Sequence, residues 1–273
     1  VYLIFNKILK RNRFLDNINM NRKLINKYKM LFKDYVHILN PKKFIGSKKY
    51  NKYIVLTQAR SGSNMLRSLL HSHPQIISDG EIYRRLYGRN SVKMWNRFFS
   101  KKPHHIKQVG FKLFYYHPVD SDDRTVWDII KSDSNIKLIQ LSRKNKLKMI
   151  VSRDIAMKTD VWSSKRNENQ KVDKRIELDT KKFIDECNQI DVWENQIEHL
   201  FPQHQLIKIT YEDLVKERDK VMAEVFNFLE VDNLSVKPLF KKQNTEEIKN
   251  LILNYDQFSS EIKSTRWAFL LDE

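Results

Sequence analysis

A β-rich apolar run, Tyr53–Gln58, passes through Ala59-Arg60-Ser61-Gly62 straight into a helix-period segment that begins at Ser63. A strand that turns through glycine directly into a helix belongs in a layered α/β fold. Its turn is a ready anion cradle, because the first amides of a helix point outward and carry the positive end of its dipole. Gly62 lets the backbone approach a ligand, and Ser61, Ser63 and Asn64 add donors and cap the helix. The Met65 amide completes the cradle, and Arg60 supplies a planar fork of N–H groups. Taken alone, these residues are read equally well as a plain capped turn that carries an arginine.

The rest of the chain repeats this pattern. Strand-like runs at Val109–Tyr115, Ile136–Ser142 and Gln205–Thr210 alternate with helix-like runs at Ser63–Ser72, Thr125–Lys131, Leu147–Lys158, Asp179–Leu200 and Lys216–Leu229. That alternation predicts a three-layer α/β/α domain with a central parallel sheet. With 273 residues, 41% of them apolar, and 15 Phe, 11 Tyr and 5 Trp, the chain can fill such a core. Residues 51–273 are assigned to this domain, and residues 1–50 to a basic helical N-terminal arm ended near Pro41 and Gly46. The polar run 163–175 reads as an exposed loop suited to a lid.

Lys and Arg number 51 against 33 Asp and Glu, a formal charge of +18, which favours anionic partners. Two function classes meet that demand: an enzyme for a nucleotide-like anion, and a non-enzymatic binder of nucleic acid or anionic surfaces. The second lacks an aromatic-basic repeat or a recognition-helix motif, and the positive charge is spread along the chain, so no specific nucleic acid is expected. The single cysteine, Cys187, excludes an intramolecular disulfide and a Cys-rich zinc site and reads as a buried inert thiol. The histidines have no neighbouring ligands at metal spacing, so no metal is expected. Val1–Phe5 is too short for a membrane span or a signal core. The expected placement is cytoplasmic, with peripheral contact at the inner membrane face as an option.

In open parallel sheets ligands bind beyond the carboxyl ends of the strands, and two of the expected strands end in arginine-bearing turns, at Arg60 and Arg143. After Arg143 a helix carries Ser152 a little over two turns on, so the guanidinium and the hydroxyl can converge on one anion, with Lys144 and Lys146 strengthening the field. The Gly-x-x-x-x-Gly-Lys-Ser/Thr loop of nucleoside triphosphatases is absent, which argues against a kinase.

Together the two constellations resemble the sulfotransferase family that uses 3′-phosphoadenosine 5′-phosphosulfate (PAPS). Arg60-Ser-Gly-Ser-Asn-Met-Leu66 is similar to its 5′-phosphosulfate loop, and Leu141-Ser-Arg143 through Ser152 to its 3′-phosphate site. Thr210-Tyr-Glu-Asp-Leu214 and Val225–Val231 are similar to its later segments, so the resemblance covers roughly four-fifths of the chain. The run Arg143–Ser152, then Ala156 and Thr159-Asp-Val-Trp162, is similar to the bacterial branch acting on carbohydrates and glycolipids, the nodulation-factor and trehalose-type enzymes. Asp160 stands where that branch usually has glycine.

The resemblance implies a P-loop-like three-layer domain, PAPS as donor substrate without a metal, and a hydroxyl of a carbohydrate or glycolipid as acceptor. Arg60, Ser61, Gly62, Ser63, Asn64, Met65, Arg143 and Ser152 would hold the donor. Glu81, in Ser78-Asp-Gly-Glu-Ile-Tyr83, would be the general base, with His73 as the other candidate. Lys112 lies in the middle of an apolar strand, costly to bury unless an anion meets it; it would touch the sulfuryl group or the acceptor, or else it faces water from an edge strand. Residues 82–105 and 158–176 would wall the acceptor cleft.

Overall fold

Strand β1 (Asn51–Thr57) is the middle of a five-stranded parallel sheet of order β2-β3-β1-β4-β5, completed by β2 (Ile76–Asp79), β3 (Gln108–Phe114), β4 (Lys137–Ser142) and β5 (Leu206–Thr210). The computed structural model describes residues 46–162, 173–236 and 246–272. The expected arm falls almost wholly, and the expected lid for the most part, outside the described residues.

Alternation along β1 sorts the core into two layers, as it must when successive side chains leave opposite faces of a strand. Ile54 and Leu56 join a cluster with Phe111, Leu113 and Leu138, covered by Trp95 of helix α2 (Ser91–Phe98) and by Val126 and Ile130 of α3 (Thr125–Ser132). Tyr53 and Val55 point the other way, against Leu66, Leu69 and Leu70 of α1 (Ser63–Ser72) and Val225 and Phe226 of the later α8 (Arg218–Phe228). The three-layer expectation holds. A third cluster joins α4 (Lys146–Thr159) to α5 (Thr180–Asn195), and α9 (Ile248–Leu251) and α10 (Tyr255–Lys263) add Leu251 and Phe258 to it. Cys187 is fully buried there, and burial pushes its thiol up to about 12, so it is inert as expected.

The pattern of strands and helices departs from expectation at several points: α2, α9 and α10 have no counterpart in the sequence reading, one strand is missing from it, and two expected helices are divided. The edge strand β2 is absent from the sequence reading, because four residues between Pro74 and Gly80 carry too short a run to display a period. The expected helix Asp179–Leu200 is divided at Gln196 into α5 and the single turn α6 (Ile197–Leu200). The expected helix starting at Lys216 is preceded by a separate turn, α7 (Tyr211–Lys216), capped by the Thr210 hydroxyl, which accepts from the Asp213 amide at 3.1 Å. Asp160 ends α4 at φ 54°, so it takes up the left-handed conformation that glycine usually supplies at a helix end.

Chain direction changes across β1 and β4. After β1 the chain moves towards β2 and β3, and after β4 it moves towards β5, so a crevice opens beyond the carboxyl ends of these two neighbouring strands. Arg60 follows the first and Arg143 the second.

Candidate active site

The turn out of β1 is held in left-handed conformations at Arg60 (φ 65°) and Gly62 (φ 87°). A non-glycine residue there costs free energy and is kept only where its surroundings impose it. Ser61 is buried and closes the turn from inside, donating to the Gln58 carbonyl at 2.8 Å and sharing a 2.6 Å hydrogen bond with the Thr57 hydroxyl. The expected capping by Ser61, Ser63 and Asn64 does not occur: no side chain caps α1, which starts from Gly62. Ser63 and Asn64 instead accept from the Lys112 ammonium, at 3.4 and 2.8 Å. The Met65 amide donates to the Gly62 carbonyl at 2.8 Å, so it is spent in the turn rather than in the cradle. The first amides of an α-helix have no partner within the helix, and no side-chain cap supplies one here.

Glycine at 62 serves a neighbour as well as a ligand, because a Cβ there would run into Cδ2 of Tyr211. The same ring lies under Arg143, whose guanidinium carbon is 4.7 Å from the ring centroid. Arg143 donates through Nη1 to the Arg60 carbonyl at 3.0 Å, and Arg60 donates through Nε to the Ser152 hydroxyl at 2.9 Å and through Nη1 to the Trp162 carbonyl at 3.2 Å. The two arginine turns therefore meet in one crevice. Burial, and after it the charge of Arg143, lowers the Arg60 pKa from its ordinary value. Two partly dry guanidinium groups side by side are what an anion would relieve.

Lys112 lies on β3 between β2 and β1, so the edge-strand alternative is excluded. Its neighbours Phe111 and Leu113 enter the α2 and α3 layer, which sends Lys112 towards the start of α1. It is 2% exposed. Burial lowers its pKa, and the nearby Glu81 carboxylate works against that shift. Glu81 Oε1 is 3.3 Å from Lys112 Nζ, and its other oxygen is 4.0 Å from Arg84 Nε. The β2 strand delivers this pairing: Asp79 registers with Phe111, and the Lys112 amide donates to the Gly80 carbonyl at 3.2 Å. Lys112 thus joins the loop after β1 to the turn after β2.

Sequence reasoning missed His117. It is fully buried, with Nε2 3.9 Å from Glu81 Oε2, and that nitrogen finds no hydrogen-bond partner among the described residues. Nδ1 accepts from the Phe114 amide at 3.3 Å, so the ring proton belongs on Nε2, facing Glu81. Burial first, then the charges of Arg84 and Lys112, lower its pKa to about 3, so the ring is neutral despite the nearby carboxylate. Spacing to Pro118 was the available signal, but a lone His-Pro pair does not indicate which elements fold over it.

The sign of the resulting pH dependence follows. Between about 6.5 and 3 the unfolded chain binds a proton at His117 that the folded protein refuses, so folding stability falls as the pH is lowered through that window. His117→Phe is expected to remove about 2 kcal/mol of the stability difference between pH 7.5 and pH 5. Urea unfolding at the two pH values measures it; an unchanged difference would show that the imidazole is not held neutral.

His73, the other candidate base, is not near these groups. It is buried at the far end of α1, where Nδ1 accepts from the Gln75 amide at 3.1 Å and Nε2 pairs with the Asp232 carbonyl at 2.8 Å. Both nitrogens are committed to structure. On the other side of the crevice Trp162 lies under Arg84, with 5.7 Å from guanidinium carbon to ring centroid, so parts of both expected acceptor walls meet beside Glu81. Among the described residues no helix is long and apolar enough to cross a membrane.

A parallel sheet whose central crevice carries an uncapped helix start, two converging arginines and a buried lysine beside a carboxylate defines a P-loop-like transferase for nucleotide-borne anions. The model of the family described as "Sulfotransferase domain" matches residues 51–270. The chain belongs to that family and is a PAPS-dependent sulfotransferase. It is similar to Nodulation protein H of Rhizobium tropici, 24% identical over 228 residues that span 74% of this chain and 86% of that protein. It is also similar to Nodulation protein H of Rhizobium meliloti (strain 1021), 21% identical over 225 residues, 75% of this chain and 88% of that one. The fold is shared with a sulfotransferase from Alicyclobacillus acidocaldarius, with a TM-score of 0.50, 17% identity, and 82% and 96% of the two chains covered.

Proposed function

We propose that the protein moves the sulfuryl group of PAPS to a hydroxyl of a carbohydrate or glycolipid acceptor. The observation that carries this reading is the bridge made by Lys112, whose ammonium contacts Ser63 and Asn64 of the donor loop and Glu81 at once. Sulfuryl transfer resembles phosphoryl transfer in its loose, in-line transition state, so catalysis is mainly positioning and charge stabilisation. Arg60, the α1 amides and Lys112 stabilise the charge that builds as the bond between sulfur and the bridging 5′-phosphate oxygen breaks, its electron pair staying on that oxygen. Glu81 takes the proton of the acceptor hydroxyl as its oxygen bonds to sulfur. The neutral His117 turns Nε2–H towards the same carboxylate, 3.9 Å away. Arg143 and Ser152 grip the 3′-phosphate.

The carbohydrate reading draws support from the relatedness to the two nodulation proteins and from the indole of Trp162, which is 37% exposed beside Arg84 and suits stacking against a sugar ring. Calorimetry with adenosine 3′,5′-bisphosphate, then transfer of radiolabelled sulfate from PAPS to a panel of oligosaccharides, lipopolysaccharide and lipids, tests the proposal. Labelling of none of these acceptors would end the acceptor assignment. Arg143→Ala is expected to weaken adenosine bisphosphate binding by well over tenfold, since a charged bidentate contact is worth roughly 1.5–3 kcal/mol. Unaltered affinity would remove Arg143 from the donor site.

A further inference from the structure

The junction between β5 and α7 is bound to both arginine turns, yet none of the steps above uses it. Tyr211 fills the space that a side chain at residue 62 would need, and its ring lies against the Arg143 guanidinium at 4.7 Å. Its neighbour Glu212 reaches the turn that follows Arg143, accepting from the Lys144 amide at 3.0 Å and the Asn145 amide at 3.4 Å. Leu214, three residues beyond Tyr211, is fully buried under the sheet, which ties the junction to the core. Arg143 completes a closed circuit by donating to the Arg60 carbonyl. Loop, junction and turn therefore hold one another at fixed separations.

We propose that Tyr211 and Glu212 are positioning residues that set the distance between the two ends of the donor site. The inference rests on the reading that one adenosine bisphosphate moiety spans both arginine turns. Two physical arguments carry it. The first is the shared ring: Tyr211 cannot shift towards either turn without displacing Gly62 or Arg143. The second concerns the start of α4, where amides and dipole would ordinarily attract a phosphate. Glu212 occupies the amides of Lys144 and Asn145, the two residues just ahead of α4, with its own carboxylate, so this turn is fixed and these two amides are closed to a ligand. The 3′-phosphate is then met by the side chain of Arg143, which leaves the strand just before this turn and whose direction Glu212 sets by holding the turn, together with Ser152 of α4.

The test compares two nucleotides on the full chain. Calorimetry with adenosine 3′,5′-bisphosphate and adenosine 5′-monophosphate gives the preference contributed by the 3′-phosphate, independently of general losses in folding or binding. Glu212→Ala is expected to weaken the bisphosphate about tenfold and the monophosphate less than about twofold, collapsing the preference. Tyr211→Leu, which loosens both turns, is expected to weaken both nucleotides about equally. Glu212→Gln keeps one acceptor oxygen at its normal length and folds where the alanine variant fails to; its preference is expected between wild type and alanine. A wild-type preference retained in whichever glutamate variants fold overturns the role of Glu212, and a Tyr211→Leu protein with unchanged affinity for both nucleotides overturns that of Tyr211. Wild-type protein that binds neither nucleotide defeats the donor reading itself, and this inference with it.

Discussion

Lys112→Met is expected to lower sulfate transfer by about 100- to 1,000-fold and to lower the thermal midpoint as well. The two halves of that expectation have different origins. Methionine matches the length and volume of the lysine stem in a site that is 2% exposed, so packing persists, but Glu81, Asn64 and Ser63 lose their common donor, and breaking a buried pair from one side is destabilising. Transfer loses a fixed donor aimed at the place where charge builds, and single donors of this kind are worth about two to three orders of magnitude in turnover. Steady-state assays with differential scanning fluorimetry measure both. A variant that transfers sulfate within about threefold of wild type would show that the ammonium only satisfies Ser63, Asn64 and Glu81.

Glu81→Gln is expected to leave adenosine bisphosphate affinity within about twofold and to lower turnover by about 100-fold or more. The amide is isosteric and still accepts from Lys112, so the geometry between the turn after β2 and the donor loop persists. What disappears is the capacity to receive a proton. Calorimetry and initial rates at saturating PAPS separate the two effects. Loss of nucleotide affinity with turnover retained would reverse the assignment, making Glu81 part of the donor cradle and leaving the proton to another acceptor. His117 is the nearest alternative, and its low pKa makes it a weak base there.

Much of this arrangement is legible in the chain because its signals are local. The strand before Arg60 and the strand before Arg143 show as short runs rich in apolar residues, and each turn carries its arginine within a few residues of the strand end. The rule for parallel sheets then places both at one edge, where the structure brings them within a hydrogen bond of each other. Lys112 is conspicuous as a charge in an apolar strand, but its exposure could not be read, because burial depends on which strands flank β3. The neighbour that decides it, β2, is four residues long.

Long-range contacts account for what the chain conceals. The caps expected from Ser63 and Asn64 are local hydrogen bonds, and they give way to a charge nearly fifty residues away on another strand. His73 and His117 are alike as letters, each a histidine followed by proline; one is fixed by Gln75 and Asp232, and the other is turned towards Glu81. Tyr211 and Glu212 are recognisable as a motif, yet their contacts lie with Gly62, Arg143 and the turn after it.

Periodicity and turn chemistry along the chain thus specify an α/β layer, its two arginine turns and a family resemblance, because these depend on residues within one or two turns of each other. The pairing of Lys112 with Glu81, the neutrality of His117 and the circuit through Tyr211 arise when β2, β3 and β5 take their places beside β1 and β4. Desolvation and like-charge crowding act only between groups that the packed sheet has brought together, and no local pattern encodes them.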